Sequence, residues 1–427
     1  MILQRRHLIT GAAAVLTYNA LAAPSIVGRA KAAGPSGGGS SGGVSALKAK
    51  AQRLLAGAML GALPVVMASP PTVAQNTASA ITGTTYAYND PAIRYLGTVT
   101  NDTTLGGQSI AGHVDYGTFR NGPIQQVEFM ANSAVVEISA FSNPVETWRL
   151  FVDDQAVSLT PAAYGTGNYS ITYISLTFAT AATRRFRFET SNQGCFGGVK
   201  VPTNYNVWQS PPPGLRAMIV GDSYPNGNQG DGTYSPHTSL GRQAGFRLGV
   251  RDWWISTMAG EGYTANGNQS GKTLRARAIT DIIAYAPDWV ILPEGINTGG
   301  AAAAAVTTEV STLYALLLAG LPNTIFTVIG PWRAPSLNPS QAYADAIKAG
   351  VAAQPEYAAN GTGRIAYIDT FAEGWQQIAG KVGSVSGAGN SNIYVGPDGI
   401  HFIQAGHDYG GGRVAAAGVR HLTAFAA

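Results

Sequence analysis

Ser223 stands in Gly221-Asp222-Ser223, directly after the apolar run Ala217-Met218-Ile219-Val220. A serine hydroxyl is a weak nucleophile at neutral pH, so chemistry at this position needs a base beside it. The chain supplies one far downstream, in Asp398-Gly399-Ile400-His401, where the aspartate precedes the histidine by three residues. On one turn, that spacing lets the carboxylate reach one ring nitrogen and leaves the other for the serine. Two loops carry possible oxyanion donors. Gly260-Glu261-Gly262-Tyr263 offers a backbone N–H, from Gly260 or from Gly262, and Gly295-Ile296-Asn297 offers a neutral side-chain amide. Such donors, aimed at developing charge, are worth about 3–4 kcal/mol each. Singly, each string is common in ordinary turns. His407 competes as a base, but its place inside the last predicted helix, 404–423, reads as structural. Asp222 reads as shaping the turn rather than moving protons.

These residues need elements to position them. After Gly214, short buried strands alternate with helical stretches: 217–220, 253–257, 289–292, 325–329 and 365–368 are the strands. Val306, Val310, Leu313 and Leu317, spaced by four, three and four, share one helix face. Strand and helix in alternation predict an α/β fold, a parallel sheet with flanking helices. In such sheets ligands bind beyond the carboxyl ends of the strands, which is where all four short strings fall.

Serine after the first strand, glycine after the second, Gly-x-Asn after the third and Asp-x-x-His before the last helix occur in one order. In this the chain resembles the SGNH (GDSL-type) serine hydrolases, across residues 214–427. The resemblance implies a flavodoxin-like sheet, with Ser223 as nucleophile, His401 as general base and Asp398 orienting it. It also implies an oxyanion hole made by the Ser223 N–H, Gly260 and the Asn297 amide. One position departs from the family pattern: Thr298 follows Asn297 where Asp is usual. Gly260 is favoured over Gly262 because it lies nearer the strand end.

The front half is organised differently. Across 80–212, Val136 and Ile138, then Trp148, Leu150 and Val152, then Ile171 and Tyr173, then Phe186 and Phe188 alternate with their neighbours at period two. Asn143-Pro144 and Gly165-Thr166-Gly167-Asn168 separate strands, and Pro211-Pro212-Pro213-Gly214 closes the region. This predicts an antiparallel β-sandwich of jelly-roll type. A sandwich before an SGNH domain resembles carbohydrate esterases that deacetylate polysaccharides. Trp332, after a strand end, is then a candidate lining residue for a sugar, with Gly262 beside the cleft.

Residues 34–79 read as a flexible Gly/Ser-rich linker and an apolar segment, poorly ordered except for one helix near 46–60. Residues 1–33, with Arg5-Arg6 before a small and apolar run and Ala20-Leu21-Ala22-Ala23, have the pattern of an export signal, twin-arginine-like. The run 54–68 is too short and too broken to span a bilayer. A net charge of +4 on 427 residues, with no basic stripe, excludes nucleic acid as a partner. The single cysteine, Cys195, excludes an internal disulfide and reads as a buried apolar residue. The six histidines show no metal-ligand spacing, and the chemistry calls for no cofactor. Three functions remain: an esterase on an acylated carbohydrate, an esterase on lipid or small esters, and a binding or surface module with a vestigial hydrolase domain.

Overall fold

Continuous apolar strands need cover on both faces, and helices supply it in the second half of the chain. In the computed structural model, Arg216–Gly221, Asp252–Thr257, Trp289–Pro293, Ile325–Ile329 and Ile365–Ile368 form one parallel sheet. The spatial order is second, first, third, fourth, fifth, which is the flavodoxin-like order with its switch point between the first and third strands. Helices Leu240–Arg247 and Gln404–Ala426 cover one face through Leu240, Ala244 and Val414. Ala303–Gly320 and Gln341–Ala352 cover the other. Ala303–Gly320 is long and apolar enough to cross a membrane, but its predicted stripe of Val306, Val310, Leu313 and Leu317 is buried against the sheet.

The structure describes residues 40–97, 100–102, 109–111, 122–142, 145–166, 170–191, 194–267, 272–298, 300–375, 383 and 391–427. The export-signal pattern, the turn at Asn143-Pro144 and part of the turn at 165–168 lie outside the described residues.

The period-two region is an antiparallel sandwich. One sheet runs Thr72–Asn76, Ser170–Thr177, Val135–Ser142, Cys195–Val201, Ser109–Ala111, Thr100–Asp102. The other runs Ala162–Tyr164, Glu146–Val152, Arg184–Ser191, Ile124–Ala131, Val207–Trp208. Between them pack Val127, Ile138, Leu150, Ile174 and Phe196, with Phe129 stacked on Phe186 at 5.1 Å. Cys195 is buried.

Two expectations are corrected. The helix expected near 46–60 begins earlier, at Ser40 inside the Gly/Ser-rich stretch, and belongs to the core rather than to a flexible linker. Its Leu47, Ala51 and Leu54 join the core on the same sheet face as Leu240 and Val414, and Lys50 pairs with Asp288 at 2.7 Å. The chain then crosses to the sandwich, where Ala156 donates to the Val65 carbonyl (2.8 Å) and Met67 donates to the Ala156 carbonyl (2.9 Å). The strand Thr72–Asn76 starts the sandwich ahead of residue 80.

The second correction concerns exposure. Alternation predicts one buried face, yet Ile124–Ala131 and Arg184–Ser191 are buried nearly throughout. Their polar face packs on the α/β half and finds partners there. Gln126 Nε2 donates to the Trp253 carbonyl (2.6 Å), Arg251 pairs with Glu128 (2.7 Å), and Arg242 pairs with Glu189. Residues 41–427 therefore make one compact unit.

Candidate active site

The first strand ends at Gly221, and Asp222 caps the short helix Ser223–Asn226, its Oδ1 accepting from the Tyr224 N–H at 2.9 Å. Aspartate suits this cap because its oxygen satisfies a backbone donor that the helix cannot. The helix ends at Gly227, whose φ of 102° is left-handed and favours glycine. Ser223 thus sits at the sheet's switch point.

The second loop arrives from the C-terminal end. Asp398 Oδ1 accepts the N–H groups of Ile400 (2.9 Å) and His401 (3.0 Å), which fixes the carboxylate. His401 Nδ1 donates to Asp398 Oδ2 at 2.6 Å, and the Ser223 hydroxyl donates to His401 Nε2 at 2.9 Å. Both distances are within hydrogen-bond range. The loop itself is tied down by Tyr224 Oη, which donates to the Ile400 carbonyl (2.5 Å), and by Ser336 N–H, which donates to the Gly399 carbonyl (2.8 Å). Tyr224, next to the serine, packs edge-on against Phe402, next to the histidine, with ring centroids 4.7 Å apart. One aromatic contact therefore joins the two loops.

Trp332 lies beneath this contact. It is 1% exposed, stacks parallel to Tyr224 at 6.0 Å and meets Phe402 edge-on at 5.5 Å. A side chain so buried has no face to offer a sugar, so its assignment as a lining residue is corrected: it is a floor for Tyr224. His407 is also structural. It accepts from the Leu240 N–H (3.2 Å) and donates to the Asn228 carbonyl (3.2 Å), and burial pushes its pKa down to about 4.

On the oxyanion side the two glycines separate. Gly262 is buried, its N–H donates to the Ala265 carbonyl (3.1 Å), and its own carbonyl accepts from Leu274 (3.4 Å). Gly262 is thus spent in a turn rather than lining a cleft. Gly260, at a left-handed φ of 74°, has no acceptor for its N–H among the described residues. The Asn297 amide nitrogen donates twice, to Asp222 Oδ2 (3.0 Å) and to the Glu261 carbonyl (2.8 Å). Asn297 therefore ties the nucleophile turn to the Gly260–Glu261 turn.

The sequence assigns Asp222 to shaping its turn and marks no role for the other carboxylates under these loops, Glu261 and Glu294. Asp222, Glu261 and Glu294 are all buried, one on each of the three turns that carry Ser223, Gly260 and Asn297. Desolvation pushes Asp222 and Glu261 each up to about 7. Glu294 is held well above the usual carboxylate range by desolvation and then by the charges of Asp222 and Glu261. Arg277, fully buried, pairs with Glu261 and with Asp281 at 2.7 Å and also reaches Ser256 Oγ at 2.6 Å. Burial would lower its pKa, but the two carboxylates outweigh that and raise it. Among the described residues no group of three or more His, Cys, Asp or Glu side chains is placed to hold a metal ion.

No protein-family model matches the chain, and no curated protein sequence matches it. Solved structures do. A family two carbohydrate esterase from Clostridium thermocellum in complex with cellohexaose aligns at TM-score 0.52 and 14% identity, covering 76% of this chain and 97% of that one. A family two carbohydrate esterase with a carbohydrate-binding domain from Corynascus thermopiles aligns at 0.50 and 16% identity, covering 76% and 99%. A salicylyl-acyltransferase from a tetracycline biosynthetic pathway aligns at 0.57 and 13% identity, covering 78% and 98%. The chain has the fold of these proteins: an antiparallel sandwich joined to a flavodoxin-like parallel sheet.

Proposed function

We propose that this protein is a serine esterase that removes acyl groups, most simply O-acetyl, from a carbohydrate. The observation that carries the reading is the continuous hydrogen-bond line from Asp398 through His401 to Ser223, at 2.6 and 2.9 Å. In this reading His401 Nε2 takes the Ser223 proton as Oγ bonds to the ester carbonyl carbon, and Asp398 stabilises the imidazolium. The Ser223 and Gly260 N–H groups receive the oxyanion, and Asn297 joins them by sharing one of its hydrogens. His401 returns the proton to the departing alcohol. Water then attacks the acyl-enzyme with His401 again as base, which releases the acid and restores the serine.

The carbohydrate substrate rests on the likeness to esterases whose fold this chain shares. The acyltransferase likeness supports a second reading, in which a substrate hydroxyl replaces water in the second half. Residues 1–33 carry an export pattern, and we place the enzyme outside the cytoplasm, where acylated polymers occur. The test is hydrolysis of p-nitrophenyl acetate and acetate release from acetylated xylan, by wild type and by Ser223→Ala. We expect turnover by wild type, and a loss of about 10⁴-fold or more in the variant. A folded wild type inert on every acetylated substrate would leave a binding module instead. Faster cleavage of long-chain esters than of acetylated xylan would point to lipid substrates, and acylated alcohol products would select acyl transfer.

A further inference from the structure

The helix that carries Ser223 ends at Gly227, and the chain leaves it as a small hairpin. Ser235 N–H donates to the Gly227 carbonyl (2.9 Å), and Gln229 N–H donates to the Thr233 carbonyl (3.0 Å). This hairpin lies against the loop of Asp398 and His401. Gly230 N–H donates to the Phe402 carbonyl (3.0 Å), and Asp398 N–H donates to the Gly230 carbonyl (3.1 Å). The approach leaves no space for a side chain: a Cβ on Gly230 would fall 2.6 Å from Gly396 Cα and 2.8 Å from Asp398 Oδ1. Beyond the hairpin, Thr238 Oγ1 donates to Gln404 Oε1 (2.7 Å), and Gln404 Nε2 donates back to the Thr238 carbonyl (3.1 Å).

The far end of the same segment is held by the sandwich. His237 is buried, and its Nε2 donates to the Thr147 carbonyl at 3.2 Å. Its own carbonyl accepts from Arg149 Nη2 at 2.9 Å. Arg149 is fixed in turn by Glu189 (3.0 Å), which also binds Arg242 from the α/β half. Thr147, Arg149 and Glu189 lie on sandwich strands, so the segment 227–239 is gripped at one end by the sandwich and at the other by the His401 loop.

We propose that the β-sandwich is a positioning element for the His401 loop, acting through His237 and the hairpin 227–235. The catalytic consequence rests on the serine-esterase reading; the mechanical coupling does not. A loop that must hold an imidazole within hydrogen-bond reach of a serine gains from being fixed on both sides, because small misplacements are costly in rate. The front domain then serves the chemistry directly, whatever ligand it also binds.

The test is His237→Phe, which keeps a buried ring but removes the donor to Thr147. His237→Gln, which retains a donor, is the rescue variant, and Arg149→Met removes the bond to the His237 carbonyl by a second route. Amide hydrogen exchange across 396–403 and steady-state kinetics on p-nitrophenyl acetate are read together. In His237→Phe and Arg149→Met, exchange of the Gly396 and Asp398 amides should speed up about tenfold or more. The kcat should fall about tenfold with KM within about twofold, and His237→Gln should recover most of both. Faster exchange confined to 234–240, with 396–403 unchanged, would overturn the proposal. A wild type without esterase activity would remove the kinetic arm and the esterase reading, while the exchange arm still decides the coupling.

Discussion

The ionic cluster at the sandwich interface and the one beneath the oxyanion loops are both buried, yet they are unbalanced in opposite directions. At the interface one buried carboxylate, Glu189, faces Arg149, Arg187 and Arg242, and Arg187 also lies 3.9 Å from the exposed Asp154. Burial would raise its pKa, but the guanidiniums of Arg242 and Arg149 outweigh that and hold it well below the usual range. The surplus positive charge lies over aromatic faces, with Arg242 4.0 Å from the Phe246 ring centre and Arg187 4.2 Å from that of Phe151. Beneath the loops the ratio is reversed: Asp222, Glu261, Glu294 and Asp281 gather near one arginine, Arg277. There Asp222, Glu261 and Glu294 are pushed up by burial instead of being matched by further counter-charges. The first arrangement locks two halves of the chain together; the second holds three turns around the candidate site.

The two clusters should respond oppositely to loss of a carboxylate. Glu189→Ala takes the carboxylate from buried Arg149 and Arg242 and should destabilise the fold by about 3–5 kcal/mol in urea unfolding; a loss under about 1 kcal/mol would break the contrast. Asn297→Ala cuts the tie between Asp222 and Glu261 and removes a candidate oxyanion donor. It should lower kcat by about 10²-fold or more, and a change in KM alone would assign Asn297 a binding role instead.

Stability should depend on pH with a definite sign. The unfolded chain releases protons from Asp222, Glu261 and Glu294 near their ordinary values of 3.8 and 4.5, whereas the folded chain holds them to about 7 or above. Their contribution to stability therefore falls as pH rises through that window. His407 and His421, pushed by burial from 6.5 to about 4, and His237, also lowered, act the other way and lose stability as pH falls below 6.5. The slopes offset one another below pH 6.5, and only the carboxylates remain above it. The melting temperature should be nearly flat from about pH 5 to 6.5 and fall from about 6.5 to 8; a rise over the upper interval would contradict the raised carboxylates. The smallest effect should come from Glu294→Gln. Glu294 Oε2 has no hydrogen-bond partner among the described residues, so the substitution should change stability by under about 1 kcal/mol at pH 6 and should flatten the alkaline fall. A loss comparable to that of Glu189→Ala would mean that the two clusters work alike.

What could be read in advance follows the range of the signals. The parallel strands were legible because a buried strand must be apolar throughout, as Ala217-Met218-Ile219-Val220 is. Asp398 and His401 were legible as a pair because three residues of spacing is a local fact. The hairpin 227–235 and the cluster around Glu189 depend on contacts between distant segments, for which a single sequence carries no local mark. Trp332 was misplaced because a tryptophan after a strand end can serve a cleft or a core equally well. The helix near 46–60 was legible, with Leu47, Ala51 and Leu54 spaced by four and three, but its glycine- and serine-rich start hid the first turns from Ser40. Glu261 and Glu294 stand in view beside Gly260 and Gly295, yet nothing in the sequence says that both are buried.

The central claim is that Ser223 is the nucleophile activated by His401. A fluorophosphonate probe followed by peptide mass spectrometry tests it most directly, because the probe bonds covalently only to an activated hydroxyl. Labelling of the peptide containing Ser223, abolished in Ser223→Ala and strongly slowed in His401→Ala, is the predicted result. Labelling elsewhere, or unchanged labelling without His401, would contradict the account.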